Sequence, residues 1–175
     1  VQQIADGTKR IASRAFNSRV DAVIAISSMD RNSLISAGFQ ADTVYHIPHG
    51  VEERFLDAPA PEAEEDFILH VSKCSPHKNP QAIIETAKRL EETVKIAGGG
   101  WKKNYESELS QIENVELLGY VSEERLVELY CAALAFYFPS TYEPFGLLIL
   151  ESMACGTPVV ASINSAAPDI CPDCI

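Results

Sequence analysis

At 175 residues, 46% of them hydrophobic, the chain is long enough for one domain and part of another and apolar enough to bury a core, which excludes wholesale disorder. A formal net charge of −11 argues against nucleic-acid binding, which favours a basic footprint, and against docking on an anionic membrane by charge alone. It leaves room for a local phosphate site, because two nearby lysines outweigh a distant acidic surface.

Val1 to Phe16 reads as a helix feeding the first strand, and Val20 to Ile26 as a short buried strand. Ser27, with Asp30 three positions on, predicts a capped helix running to Gly38. Thr43 to Ile47 is a second strand, ended by Pro48-His49-Gly50. Asp57 to Asp66 carries Pro59, Pro61 and a run of acids, and reads as a linker between domains. A regular alternation follows. Strands are expected at Phe67–Val71, Val94–Ala97, Val115–Leu118, Leu134–Phe138 and Pro158–Ala161. Between them, helices are expected from an Asn79 cap to about Glu91, over Lys102–Ile112, from a Ser122 cap onward, and over Phe145–Cys155. Strands alternating with helices of this length predict an α/β fold: a Rossmann-like parallel sheet covered on both faces. In such sheets ligands bind beyond the carboxyl ends of the strands. Lys73–Lys78, Gly98–Gly100, Gly119–Val121 and Ser140–Gly146 all fall there.

No apolar run reaches the roughly 20 residues that span a bilayer, and no charged-then-apolar leader opens the chain, so a cytoplasmic location is expected. Cys74, Cys131, Cys155, Cys171 and Cys174 fit free thiols in a reducing compartment. Cys171-Pro172-Asp173-Cys174 has redox spacing, but no helix follows it to lower a thiol pKa. His46 and His49 lack the further partners a metal site needs, so a loop role is preferred.

Glu143 and Glu151 lie eight positions apart around an apolar segment that reads as a helix start. At about 1.5 Å per helical residue the pair spans roughly 12 Å, comparable to the sugar-to-ribose distance of a nucleotide-diphosphate sugar. A helix N-terminus between them offers N–H groups and a positive dipole end to a diphosphate. Glu143 reads equally as a first-turn acid. Glu151, among Leu147, Leu148, Ile149, Leu150 and Met153, is costly unless paired or facing a ligand. Lys73 and Lys78 follow a strand end and can neutralise a diphosphate, although alone they read as solvated lysines. Gly98-Gly99-Gly100 permits close backbone approach, or is a plain turn. A nicotinamide-type oxidoreductase would suit the alternation, but the G-x-G-x-x-G spacing is absent.

From Phe67 to about Ser162 the sequence resembles the donor-binding domain of the retaining GT-B glycosyltransferases of family 4, also called group 1. The residues that carry this are the E-x7-E element Glu143…Glu151, Lys73 and Lys78 at the Arg and Lys positions of G-R-L-x-x-x-K, Ile96-Ala97-Gly98-Gly99-Gly100, Leu118-Gly119-Tyr120-Val121 and Pro139-Ser140. Ala25-Ile26-Ser27 and Ile47-Pro48-His49-Gly50-Val51 are similar to the end of that family's N-terminal domain and its crossover. The resemblance implies residues 1–56 as the tail of an acceptor-side domain, 57–66 as linker, and 67–175 as a donor domain lacking its final helices.

It further implies that Lys73 and Lys78 hold a diphosphate, and that Glu143 binds sugar hydroxyls with backbone N–H groups of Phe145, Gly146 and Leu147. Glu151 would bind the ribose, Gly99 admit the donor, and Tyr120 and Val121 border the base. Neither Glu need be a nucleophile, and no metal or other cofactor is expected. The implied activity is hexosyl transfer from a nucleotide-diphosphate hexose, with GDP-mannose favoured, to a glycan or lipid-linked acceptor in polysaccharide biosynthesis. The full enzyme would be cytoplasmic and peripheral to the inner membrane face. With most of an acceptor domain missing, the chain is expected to bind a donor without transferring it efficiently, and a separate N-terminal half is a conceivable partner. The alternative is a non-catalytic nucleotide-binding or interaction module. Two departures stand out. Lys73 replaces an Arg and loses its bidentate fork, and Asn164 to Asp169 replaces a Gly-Gly loop and its following Glu.

Overall fold

The computed structural model describes residues 20–59, 65–163 and 167–170. The expected helix over Val1–Phe16, the centre of the linker and the Cys171/Cys174 pair lie outside them. A small parallel sheet comes first. β1 (Val23–Ala25) and β2 (Val44–His46) pair in register, joined through helix α1 (Ser28–Ser36). The Ser27 hydroxyl accepts from Asp30 N–H at 3.0 Å, and the Asp30 carboxylate accepts in return from Ile26 N–H at 3.2 Å. At the far end Gly38 N–H bonds Ile35 O and Phe39 N–H bonds Leu34 O, a Schellman closure where the sequence placed the stop.

After the short helix α2 (Glu53–Leu56), five strands form the main sheet: β3 (Glu65–Val71), β4 (Thr93–Ala97), β5 (Val115–Gly119), β6 (Ala133–Phe138) and β7 (Val159–Ala161). All pairings are parallel and the order is β5-β4-β3-β6-β7. The helices α3 (Pro80–Ala87), α4 (Trp101–Leu109), α5 (Glu123–Ala132) and α6 (Leu147–Ala154) connect successive strands, and α7 (Ala167–Ile170) follows β7. Alternation along the strands feeds two cores. Phe67, Leu69 and Val71 of β3 join Phe136, Phe138, Leu129, Tyr130 and Ile149 on one face. Ile83, Ile84, Val94, Ile96, Trp101 and Leu109 fill the other, with Ile68 packed against them. Among the described residues no helix is long and apolar enough to cross a membrane.

Several helix ends differ from expectation, among them α4, which runs from Trp101 to Leu109 and not from Lys102 to Ile112. Asn79 precedes α3 but makes no side-chain cap. It closes a 3-10 turn over Pro76–Lys78 in the left-handed region (φ 56°), a conformation that Asn tolerates. That helix also stops at Ala87 rather than Glu91, because the Asn114 side-chain amide takes up Ala87 O, Leu90 O and Glu92 O at 2.9–3.1 Å. α6 begins at Leu147 and not at Phe145, since Gly146 sits at φ 96° and cannot be helical.

The strand ends on the carboxyl side are laced together. Ser72 N–H bonds Ala97 O, Cys74 N–H bonds Gly99 O, and Gly98 N–H bonds Gly119 O. The Ser72 carbonyl accepts from the Trp101 indole at 2.9 Å, and a Cβ on Gly98 would lie 2.0 Å from it, so only glycine fits there. His70 fixes the Ser72 side chain. Its Nδ1–H donates to Tyr137 O at 2.8 Å, which leaves Nε2 to accept from the Ser72 hydroxyl at 2.8 Å. Full burial pushes this imidazole down to about 4 from its ordinary 6.5, against the pull of the Tyr137 carbonyl. The unfolded chain therefore takes up a proton at His70 that the folded chain refuses until about pH 4. This contribution to stability is complete above pH 6.5 and is lost as pH falls to about 4, amounting to about 3 kcal/mol. Denaturant unfolding measured across that window should show the decline, and His70→Gln should flatten it while lowering stability at neutral pH.

Candidate functional site

The order β5-β4-β3-β6-β7 reverses direction between β3 and β6, so the loops after these two strands diverge and leave a crevice. The loop after β3 carries Lys73 to Lys78, and the loop after β6 carries Ser140 to Gly146. They are stitched together by Thr141, whose N–H and hydroxyl both donate to His77 O, at 2.8 and 3.2 Å. Behind this seam the Lys78 ammonium is ion-paired with the Glu143 carboxylate. The two side chains are only 15% and 17% exposed, and the ammonium also lies 4.5 Å from the centre of the Phe138 ring. The nearby Ser140 hydroxyl is buried with no hydrogen-bond partner among the described residues.

A cavity of about 280 Å³ opens on this pair. Its walls are Lys78, Phe138, Glu143 and the run Pro144 to Leu148, closed from the small sheet by Ile26 and His49. Gly146 shapes it. A Cβ there would stand 3.0 Å from Ile149 Cδ1 and 3.5 Å from Glu143 Cγ. Leu147 and Leu148 open α6, so helix geometry leaves their N–H groups without intrahelical acceptors, whereas Ile149 and Leu150 N–H groups return to Gly146 O. Phe145 is buried and anchors the His49 ring edge-on at 5.2 Å.

Glu151 lies apart from this cavity, one helical turn and more along α6. It is half-buried, and that burial pushes its carboxyl up from the ordinary range. The Tyr130 hydroxyl donates to it at 3.3 Å and pulls the other way. Arg54 of α2 is engaged by Glu52 and Glu123 instead. Because Glu143 belongs to a loop ahead of α6, the helical ruler of the sequence reading does not measure the separation of the two carboxylates. Cys155, at the end of the same helix, has its thiol pushed up to about 12 by burial and the adjoining Cys131, and so is a poor nucleophile.

The site residues expected from sequence thus fall into four groups, with Glu151 standing by itself. Lys78, Glu143, Phe145, Gly146 and Leu147 share the cavity. Lys73 is exposed, lies outside the cavity lining and makes no ion pair among the described residues. Gly99 faces open space, Tyr120 is 91% exposed, and Val121 is half-buried against the core beneath it. The sequence reading gave His49 a loop role between Pro48 and Gly50, and it lines the cavity. It singled out neither Phe138 nor Tyr130, which look like any core aromatic. Asp169, in the stretch that stands where the family has its loop glutamate, accepts from Ser28 N–H at 2.5 Å, at the start of α1.

Residues 51–173 match the family described as glycosyl transferases group 1. O-antigen chain mannosyltransferase B of Escherichia coli is 34% identical over 122 residues, covering 63% of this chain and 32% of that protein. D-inositol 3-phosphate glycosyltransferase of Mycobacterium sp. (strain JLS) is 29% identical over 181 aligned positions, covering 95% and 40%. In fold, the chain is similar to Anabaena HepE, solved in complex with UDP and glucose, at a TM-score of 0.80 and 24% identity over 94% of this chain and 50% of that one. The chain therefore spans about a third to a half of the length of these three proteins. The chain belongs to the glycosyl transferases group 1 family and has the parallel α/β architecture of the GT-B fold.

Proposed function

We propose that this chain is the donor-binding part of a retaining hexosyltransferase that takes a nucleotide-diphosphate hexose. The observation that carries the reading is the Lys78–Glu143 pair, held in a cavity at the point where the sheet reverses direction. A diphosphate entering there competes with Glu143 for the Lys78 ammonium. As the phosphate takes the cation, the carboxylate is released to accept hydrogen bonds from sugar hydroxyls. Lys73 reaches in from the loop that follows β3, and the N–H groups around Phe145, Gly146 and Leu147 receive the remaining negative charge. Glu151 receives the ribose, Gly99 lets the backbone approach the donor, and Tyr120 and Val121 flank the base.

In the full enzyme the bond between the anomeric carbon and the diphosphate oxygen breaks while the acceptor hydroxyl oxygen bonds that carbon on the same face. Its proton passes to the leaving diphosphate. Lys78 and the helix N-terminus contribute by stabilising the charge that develops on the departing oxygen. Nothing in this scheme asks either Glu to act as a nucleophile. The same reading places residues up to Leu56 on the acceptor side, where Ile26 and His49 form the second wall of the cavity. Likeness to an O-antigen mannosyltransferase supports mannose as the sugar, whereas the UDP and glucose held by HepE keep UDP-hexoses in contention.

Calorimetric titration with GDP, UDP, GDP-mannose and UDP-glucose decides among these. GDP-mannose is the expected donor, and absence of binding by every nucleotide would remove the reading. Lys78→Ala should weaken the nucleoside diphosphate by about tenfold or more and the bare nucleoside much less, since a charge-assisted contact is lost. Equal affinity of the parent protein for diphosphate and nucleoside would refute the lysine assignment. Gly146→Ala should also cost about tenfold in diphosphate-sugar affinity, because the new methyl presses on Ile149 and Glu143 while the positive φ is strained. Thermal melting should show that variant still folded.

A further inference from the structure

Tyr130 is fully buried, yet its side-chain hydroxyl is directed at a carboxylate, that of Glu151. Its ring is set edge-on between Phe55 and Phe136, with centroids 6.2 and 5.4 Å away. Its carbonyl is taken by the Thr157 hydroxyl at 2.5 Å. Ring and backbone are thus fixed from three sides, and the hydroxyl has little freedom to choose another acceptor. It donates to Glu151 Oε2 at 3.3 Å and is the one side chain among the described residues that does so. Arg54, whose charge is felt at Glu151, is itself occupied by Glu52 and Glu123. A carboxylate offers about four lone-pair positions, so one donor on Oε2 leaves Oε1 and the rest of Oε2 to accept from a ligand.

We propose that Tyr130 is a positioning residue for Glu151: it holds the carboxylate in the orientation that receives the donor's ribose hydroxyls, and so sets the preference for ribonucleotides over deoxyribonucleotides. This rests on the assignment of Glu151 to the ribose. A buried tyrosine could satisfy its hydroxyl on any main-chain carbonyl. Here it is spent instead on the side chain whose aim the proposed site depends on. An unsupported Glu151 could rotate about its own bonds among several staggered arrangements, and would have to be ordered at the moment of binding. The fixed ring removes that cost in advance.

The test measures a ratio rather than an affinity. GDP and UDP are each titrated against their 2′-deoxy and 3′-deoxy forms, with the parent chain and with Tyr130→Phe, Glu151→Ala and the double variant. The parent should prefer the ribose form by about tenfold or more, because a site built to bond a hydroxyl rejects the analogue lacking it. Tyr130→Phe, which keeps the ring and its packing, should cut that preference by about threefold or more. The ratio of diphosphate to nucleoside affinity should stay where the parent has it. Glu151→Ala should erase the ribose preference, and adding Tyr130→Phe to it should change nothing further. With 3-fluorotyrosine at position 130, a stronger donor of nearly the same shape, the preference should be kept or raised.

A preference unmoved by Tyr130→Phe but lost in Glu151→Ala would overturn the role of Tyr130 and leave the ribose assignment standing. A fluorotyrosine protein that behaves like the Phe variant would overturn it too. A preference retained in Glu151→Ala would overturn the ribose assignment itself, and with it this role.

Discussion

The pairing of β3 with β6 is the constraint on which the rest depends. It places the first and fourth strands of the main sheet side by side, so that their outgoing loops part around a crevice. Everything polar and buried in this region answers to that geometry. Lys78 comes from one lip and Glu143 from the other, and neither would be tolerable this far from water alone. Each is the reason the other can be there. Removing the β3–β6 register would strand two charges, so packing of the sheet and electrostatics of the cavity stand or fall together.

The rear of the crevice is held more rigidly than its mouth. Behind it, His70, Trp101 and Gly98 fix Ser72 through side chain, carbonyl and steric contact, so the strand end that launches the lysine loop has one position. Lys73, in the loop that follows β3, extends into solvent. The loop that carries Lys78 to Glu143 therefore starts from a fixed strand end, while the side chain of Lys73 in that loop is free in solvent.

Much of this was legible in the sequence, and the parts that were not share a physical cause. The Ser27 and Ser122 caps, the strand run Phe67–Val71 and the Schellman stop at Gly38 are local chemistry, read from neighbours within four residues. The expectation that Lys78 and Glu143 serve one site came from strand-end position and family pattern, and the sheet order brings them together. What escaped was decided by partners distant in sequence. Asn114 ends a helix twenty-odd residues away, Phe138 receives a cation on its face, and Tyr130 touches Glu151 across two helices. In sequence these are an ordinary loop amide and two core aromatics. Gly146 was read as a helical residue because its neighbours favour helix, while its positive φ reflects the turn that delivers Glu143 to Lys78.

The bond from Asp169 to Ser28 joins residues 141 positions apart. A contact so distant along the chain closes a loop that takes in every strand of the main sheet, and the entropy cost of such closure grows only slowly with length. The turn α7, which follows the edge strand β7, thus acts as a clasp on the start of α1 and ties the small sheet to the far edge of the large one.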